Sequence, residues 1–93
     1  MNPAAPAYSY KQIAANGNVC ANDGILGGIF VSAASATPTI TVYDDAATGT
    51  STKIVDTFTP VAGNWYPMPF AFSKGLNVVI GGTVSATVAY VMG

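Results

Sequence analysis

Asp44 and Asp45 are the only adjacent acids in this 93-residue chain, and they are the first place to look for chemistry. With Thr48 and nearby carbonyls they offer the hard oxygen ligands that calcium takes. The stretch DDAATGTS lacks the regular ligand spacing of a calcium loop, however. Aspartates in such a loop ordinarily cap turns by accepting backbone N–H bonds. That is the role expected here, and no metal is assigned.

Nucleophilic catalysis needs a base that titrates near neutrality, and the chain has neither His nor Glu. Its four Asp residues are too scattered to form an evident acid–base pair. The single Cys20 can build neither a zinc site nor an internal disulfide, and is expected to be buried and reduced. The glycine pairs in GILGG and IGGT precede no helical segment, so they do not read as phosphate cradles. The chain is therefore expected not to be an enzyme and to carry no cofactor. Its function should lie in its surfaces.

The aromatic residues are the remaining candidates. Tyr43, Trp65 and Tyr66, if exposed together on a β-domain, could stack a sugar ring or anchor a protein partner. The plainer reading of Trp65 is that it closes one end of a core.

Composition narrows the class. Charged residues make up 8% of the chain, against roughly 25% in ordinary soluble proteins. Three Lys and no Arg cannot form the basic patch that nucleic acid requires. High hydrophobicity with a net charge of -1 is the opposite of the disordered signature. A surface so poor in charge suits a subunit whose neighbours cover part of it. One domain is expected at this length, and a chain this short is marginal without partners.

The positioning elements are strands. Thr83, Ser85 and Thr87 alternate with Val84, Ala86, Val88 and Tyr90, a period of two that marks a half-buried strand. The uncharged segment 75–93 is thus not a membrane helix. It reads as a hairpin, with Leu76, Val78 and Ile80 on its first arm and Gly81-Gly82 at the turn.

Further strands are expected over 7–14, 18–21, 25–33, 39–44, 52–59 and 65–72. Gly27-Gly28 suggests a bulge, a bend or a close backbone contact. Asp56 shares a side with Ile54 and Phe58, which places it at a strand end or edge. Pro67 and Pro69 confine 65–72 to an edge.

This grammar predicts an all-β fold: one small β-sandwich of about seven to eight antiparallel strands, jelly-roll-like or immunoglobulin-like. Residues 7–93 form the domain. Residues 1–6, with Pro3 and Pro6, read as a flexible arm, with no basic or apolar region of a signal peptide. The expected core is Ile25, Ile29, Val31, Ile40, Val42, Ile54, Phe58, Phe70, Leu76, Val78, Ile80, Val84, Val88 and Tyr90.

The order of segments carries a resemblance. YSYKQI is followed by GILGGIFVSAAS, then by PTITVYDDAATGTSTKIVDTFTP, and finally by YPMPFAFSKGLNVVIGGTVSATVAY. Over about residues 8–91 this succession resembles small virion proteins of tailed bacteriophages and prophages. The resemblance implies a structural protein made in the bacterial host cytoplasm and carried on the capsid surface. It would be a cement or decoration subunit, commonly trimeric, that binds the major capsid protein lattice. A neck, tail or head-fibre subunit fits the same features, and a carbohydrate-binding module is the alternative outside the virion. Neither nucleic acid nor a membrane is an expected partner. Partner contacts are expected from the arm and its start (Met1, Asn2, Pro3, Tyr8), the acidic loop (Asp44, Asp45) and the aromatic edge (Trp65, Tyr66, Pro67, Pro69).

Overall fold

A computed structural model describes residues 8–35 and 37–92. The expected arm, including Met1, Asn2 and Pro3, lies outside the described residues. Eight strands follow one another: β1 (Ser9–Ile13), β2 (Gly17–Cys20), β3 (Gly24–Ala34), β4 (Thr39–Tyr43), β5 (Lys53–Phe58), β6 (Trp65–Phe72), β7 (Leu76–Gly81) and β8 (Val84–Met92). They form two antiparallel four-stranded sheets. Sheet A has the order β1-β8-β3-β6 and sheet B the order β2-β7-β4-β5.

This order settles the choice left open between the two sandwich types. β1 pairs with β8, β2 with β7, β3 with β6 and β4 with β5. Those are the pairings of one long antiparallel ribbon with the β4–β5 loop at its tip. Rolling that ribbon sends alternate pairs to opposite sheets, and β3·β8 and β4·β7 complete the ladders. An eight-stranded double sheet wound in this way is a jelly roll.

The same winding corrects the expected C-terminal hairpin. β7 belongs to sheet B and β8 to sheet A, so Gly81-Gly82 carries the chain across the sandwich. Glycine is still required there: Gly82 has φ 71°, and an added Cβ would meet the Thr37 carbonyl oxygen at 2.7 Å. The turn is held to the β3–β4 connection by Ser35 N–H to Thr83 O (2.8 Å) and Thr83 N–H to Ser35 Oγ (3.1 Å).

The core fills the space between the sheets. Leu26, Ile29, Val31, Ile40, Val42, Leu76, Val78, Val84 and Val88 are fully enclosed. Ile54, Phe58, Ile80 and Tyr90, also expected in the core, are partly buried against it. Ile13, Val19, Met68, Phe72, Ala86 and the free thiol of Cys20 complete it.

Ile25 and Phe70 are corrections, at 49% and 47% exposed. Strict alternation puts Ile25 on the same face as Ile29 and Val31. The register against β8 shifts between Leu26 and Gly28, where β3 carries one extra residue. One extra residue reverses the facing of everything beyond it. Leu26 therefore turns inward and Ile25 outward. Phe70 lies opposite Leu26, but on β6, an edge strand with one flank open.

Two substitutions check this reversal. Leu26→Ala should cost about 2–5 kcal/mol, the range for emptying an enclosed site. Ile25→Ala should cost less than about 1 kcal/mol, as for a surface position. Urea unfolding midpoints of the two variants measure the difference, and uninterrupted alternation along β3 would give the reverse order.

Candidate functional site

The described contact candidates fall in two regions, and in the first the acidic side chains bond to neighbouring loop residues. Asp44 leaves β4 and turns its carboxylate onto the β6–β7 connection. Oδ2 accepts from Ser73 N–H (3.1 Å) and Ser73 Oγ (3.0 Å), and Oδ1 from Lys74 N–H (2.8 Å) and Gly75 N–H (3.2 Å). Asp45 Oδ1 accepts from Ala47 N–H at 2.8 Å, an Asx turn. The turn-capping role read from the sequence is the one found. Among the described residues no group of three metal-ligating side chains occurs.

Two asparagines pin the same loop. Asn18 Nδ2 donates to the carbonyls of Asp45 (3.0 Å) and Ala47 (2.7 Å). Asn77 Nδ2 donates to Gly49 O at 3.0 Å. Asn77 sits on the outward side of β7 and is nevertheless enclosed, at 1% exposure, under the β4–β5 loop. Gly75 allows the close approach: a Cβ there would lie 2.5 Å from Asp45 O and 2.6 Å from Cys20 O.

Burial disfavours the charge on Asp44, but the N–H donors of Ser73, Lys74 and Gly75 and the Ser73 hydroxyl outweigh it and hold the carboxyl below its ordinary range. A depressed folded-state pKa contributes stability that is present above the unfolded value and lost as pH falls through the folded value.

The second region is the outer face of sheet A. Antiparallel partners share a face, so its rows follow from the register. Gln12, Thr87, Phe30 and Trp65 form one row; Tyr10, Ala89, Gly28 and Pro67 form the next; Val91, Ile25 and Ala71 form a third. Tyr10 is 73% exposed, Trp65 49% and Phe30 41%.

Two rings lie across the middle of the face. A Cβ on Gly27 would meet the Tyr8 ring at 2.7 Å, and one on Gly28 the Trp65 ring at 2.6 Å. The glycine pair thus makes both the bulge and the seats for two aromatic side chains. Among the described residues, none of the charged side chains belongs to these rows. Lys11 lies opposite core-facing Val88 and donates to Asn18 O (3.2 Å), while Lys53 and Asp56 pair at 2.8 Å on β5. Asp23, Asp44, Asp45 and Lys74 occupy connections between strands.

Of the expected contacts, Tyr8, Trp65, Pro67 and Pro69 therefore gather on or beside this face. Tyr66 does not. It points inward, its ring centroid 5.2 Å from that of Phe58, and its hydroxyl accepts from Val61 N–H at 2.7 Å. Tyr43 stands in β4 of sheet B, so Tyr43, Trp65 and Tyr66 do not form one sugar platform. Sequence reasoning missed Tyr10, Ile25 and Phe30 as surface residues. For Ile25 the signal was the glycine pair, read as a parity change along β3; Phe30 already alternates with inward Ile29 and Val31, and Tyr10 joins the face through the pairing of β1 with β8.

Among the described residues no helix is long and apolar enough to cross a membrane. Comparison with family models, curated proteins and solved structures finds no match to this chain.

The loop scaffold yields a direct test. Asp44→Asn keeps the shape, but removes the charge and turns an NH2 group toward backbone donors. It should cost about 0.5–1.5 kcal/mol at pH 7, the range for a typical hydrogen bond, because three of the four bonds to Asp44 are solvent-exposed. Urea midpoints taken from pH 7 down to pH 3 should fall further for the parent chain than for the variant.

Proposed function

We propose that the chain is a structural subunit of a tailed-phage particle, of the decoration or cement type, which acts as a homo-oligomer bound to the major capsid protein lattice. The observation that carries the assembly part of this reading is the outer face of sheet A. It is four strands wide and presents Tyr8, Tyr10, Ile25, Phe30 and Trp65 at exposures from 41% to 73%. Large exposed apolar patches mark surfaces that meet another macromolecule. The virion part rests on the succession of strands and turns that resembles phage structural proteins, and jelly rolls occur among viral capsid domains. Fold alone does not assign function, so the particle itself must be examined.

The mechanism is multivalent burial. A small subunit makes modest contacts, and its repetition on a lattice raises the effective concentration at every site. Each copy adds apolar area between capsid subunits with a net charge of only -1.

Tailed particles purified from a culture producing the chain provide the test, with copy number read by quantitative mass spectrometry against the major capsid protein. Hundreds of copies per particle are expected. A few dozen or fewer would place the subunit in the neck, tail or head fibre and overturn the cement role. Absence from the particles would overturn the virion reading altogether.

A further inference from the structure

We infer that the outer face of sheet A is covered by the same face of a second copy of this chain. The inference rests on the reading of the chain as an assembly subunit and names the surface and its occupant. Face and edge have to be distinguished first. Sheets can join side by side through an open edge, and each edge here carries a feature that opposes this.

On β6, Pro67 and Pro69 have no N–H to offer another strand. β5 carries the Lys53–Asp56 pair and two register shifts against β4. β2 has four residues and one shift. β1 carries Lys11, and an antiparallel copy laid along it would bring two lysines close together. The edges are guarded, while the face between β1 and β6 is uncharged, largely apolar and open.

Charge and area then select the occupant. A partner that set charged side chains against this face would strip their water without supplying counter-charges. The face itself meets the requirement, since among the described residues its rows contain no charge. With strands ~4.8 Å apart and ~3.3 Å per residue, four strands over the length of β6 present roughly 500 Å² each, or about 1,000 Å² for a pair before side-chain relief, the least that a specific interface needs. Tyr8 and Trp65 are already seated on Gly27 and Gly28, so little side-chain freedom remains to be lost on pairing. The pairing is isologous and gives a two-fold dimer, in place of the trimer that the resemblance implies.

The test is light scattering on the purified full chain across micromolar concentrations, together with the emission of Trp65, the single tryptophan. The parent chain should run at twice 9.4 kDa, and its emission should shift to the red on dilution to monomer. Phe30→Lys sets two like charges into the paired faces and should weaken dimerisation by at least about 30-fold, the effect of losing a hot-spot residue. Its own folding is checked by circular dichroism, and Ile25→Lys serves as a second probe of the face should Phe30→Lys not fold. Lys53→Glu, on sheet B, should leave the dimer intact.

A monomer at 100 µM, a trimer, or a dimer indifferent to both face variants would overturn the inference. The copy count in particles is independent of all three results. A failed dimer with hundreds of particle copies would leave the cement reading in place and assign the face to the lattice.

Discussion

One extra residue at Gly27-Gly28 lets the longest strand change which side chains face the core halfway along its length. β3 lies between β8 and β6 and pairs with both. Without the bulge, Ile25 would share the inner side with Ile29 and Val31, and Leu26 would stand in solvent. With it, Leu26, Ile29 and Val31 all reach the core with none of their surface exposed. The absence of Cβ atoms also opens the outer surface at that point, and two rings descend onto it, Trp65 from the flanking strand β6 and Tyr8 from the residue before β1, beyond β8. A side chain at Gly28 would meet both the Trp65 ring and the Tyr66 carbonyl oxygen at 2.6 Å. The arrangement of the core and the composition of the outer face thus share one backbone cause.

The opposite sheet solves a different problem with few polar groups. A rolled ribbon must return the tip of its longest loop to the sandwich. Asp44 caps three successive backbone N–H groups, while Asn18 and Asn77 hold the loop's carbonyls. Bonds of this kind matter because an unsatisfied buried polar group costs more than a satisfied one contributes. Among the described residues no buried side-chain polar atom lacks a partner. The acidic pair, the best candidate for chemistry by residue type, is thereby accounted for as structure.

Strand positions were largely legible, because alternation and turn residues are local signals. TITVY and SATVAY alternate over their whole length, and the two prolines of WYPMPFAF mark an edge that the sheet order bears out. Which strand pairs with which was less legible. Gly81-Gly82 has the local chemistry of a tight turn, and a turn that crosses between sheets has the same chemistry. Only the pairings of β7 with β2 and β4, remote in sequence, separate the two cases. Asn77 shows the same limit. On an alternating strand a lone asparagine belongs outside, and its burial comes from a loop about thirty residues away. On the candidate surface, Trp65, Pro67 and Pro69 were visible as an edge cluster. Their continuity with Ile25 depends on the parity reversal in β3, and with Tyr10 on the pairing of β1 with β8.

The distribution of charge and aromatic rings then forms one pattern. The described charged side chains lie on connections, on the edge strand β5, or on the core-facing parity of β1, where Lys11 guards an open edge. Inward-turned charges, prolines and bulges at edges all discourage uncontrolled strand addition. A chain this poor in charge that served only as a monomer would gain from placing some of it on its widest exposed face. Instead that face carries mainly aromatic and aliphatic side chains, two of them, Tyr8 and Trp65, seated on glycines, while the edges carry the devices that refuse a partner. Protection of the edges combined with exposure of one face is the distribution expected of a subunit that associates through a chosen surface and resists association elsewhere.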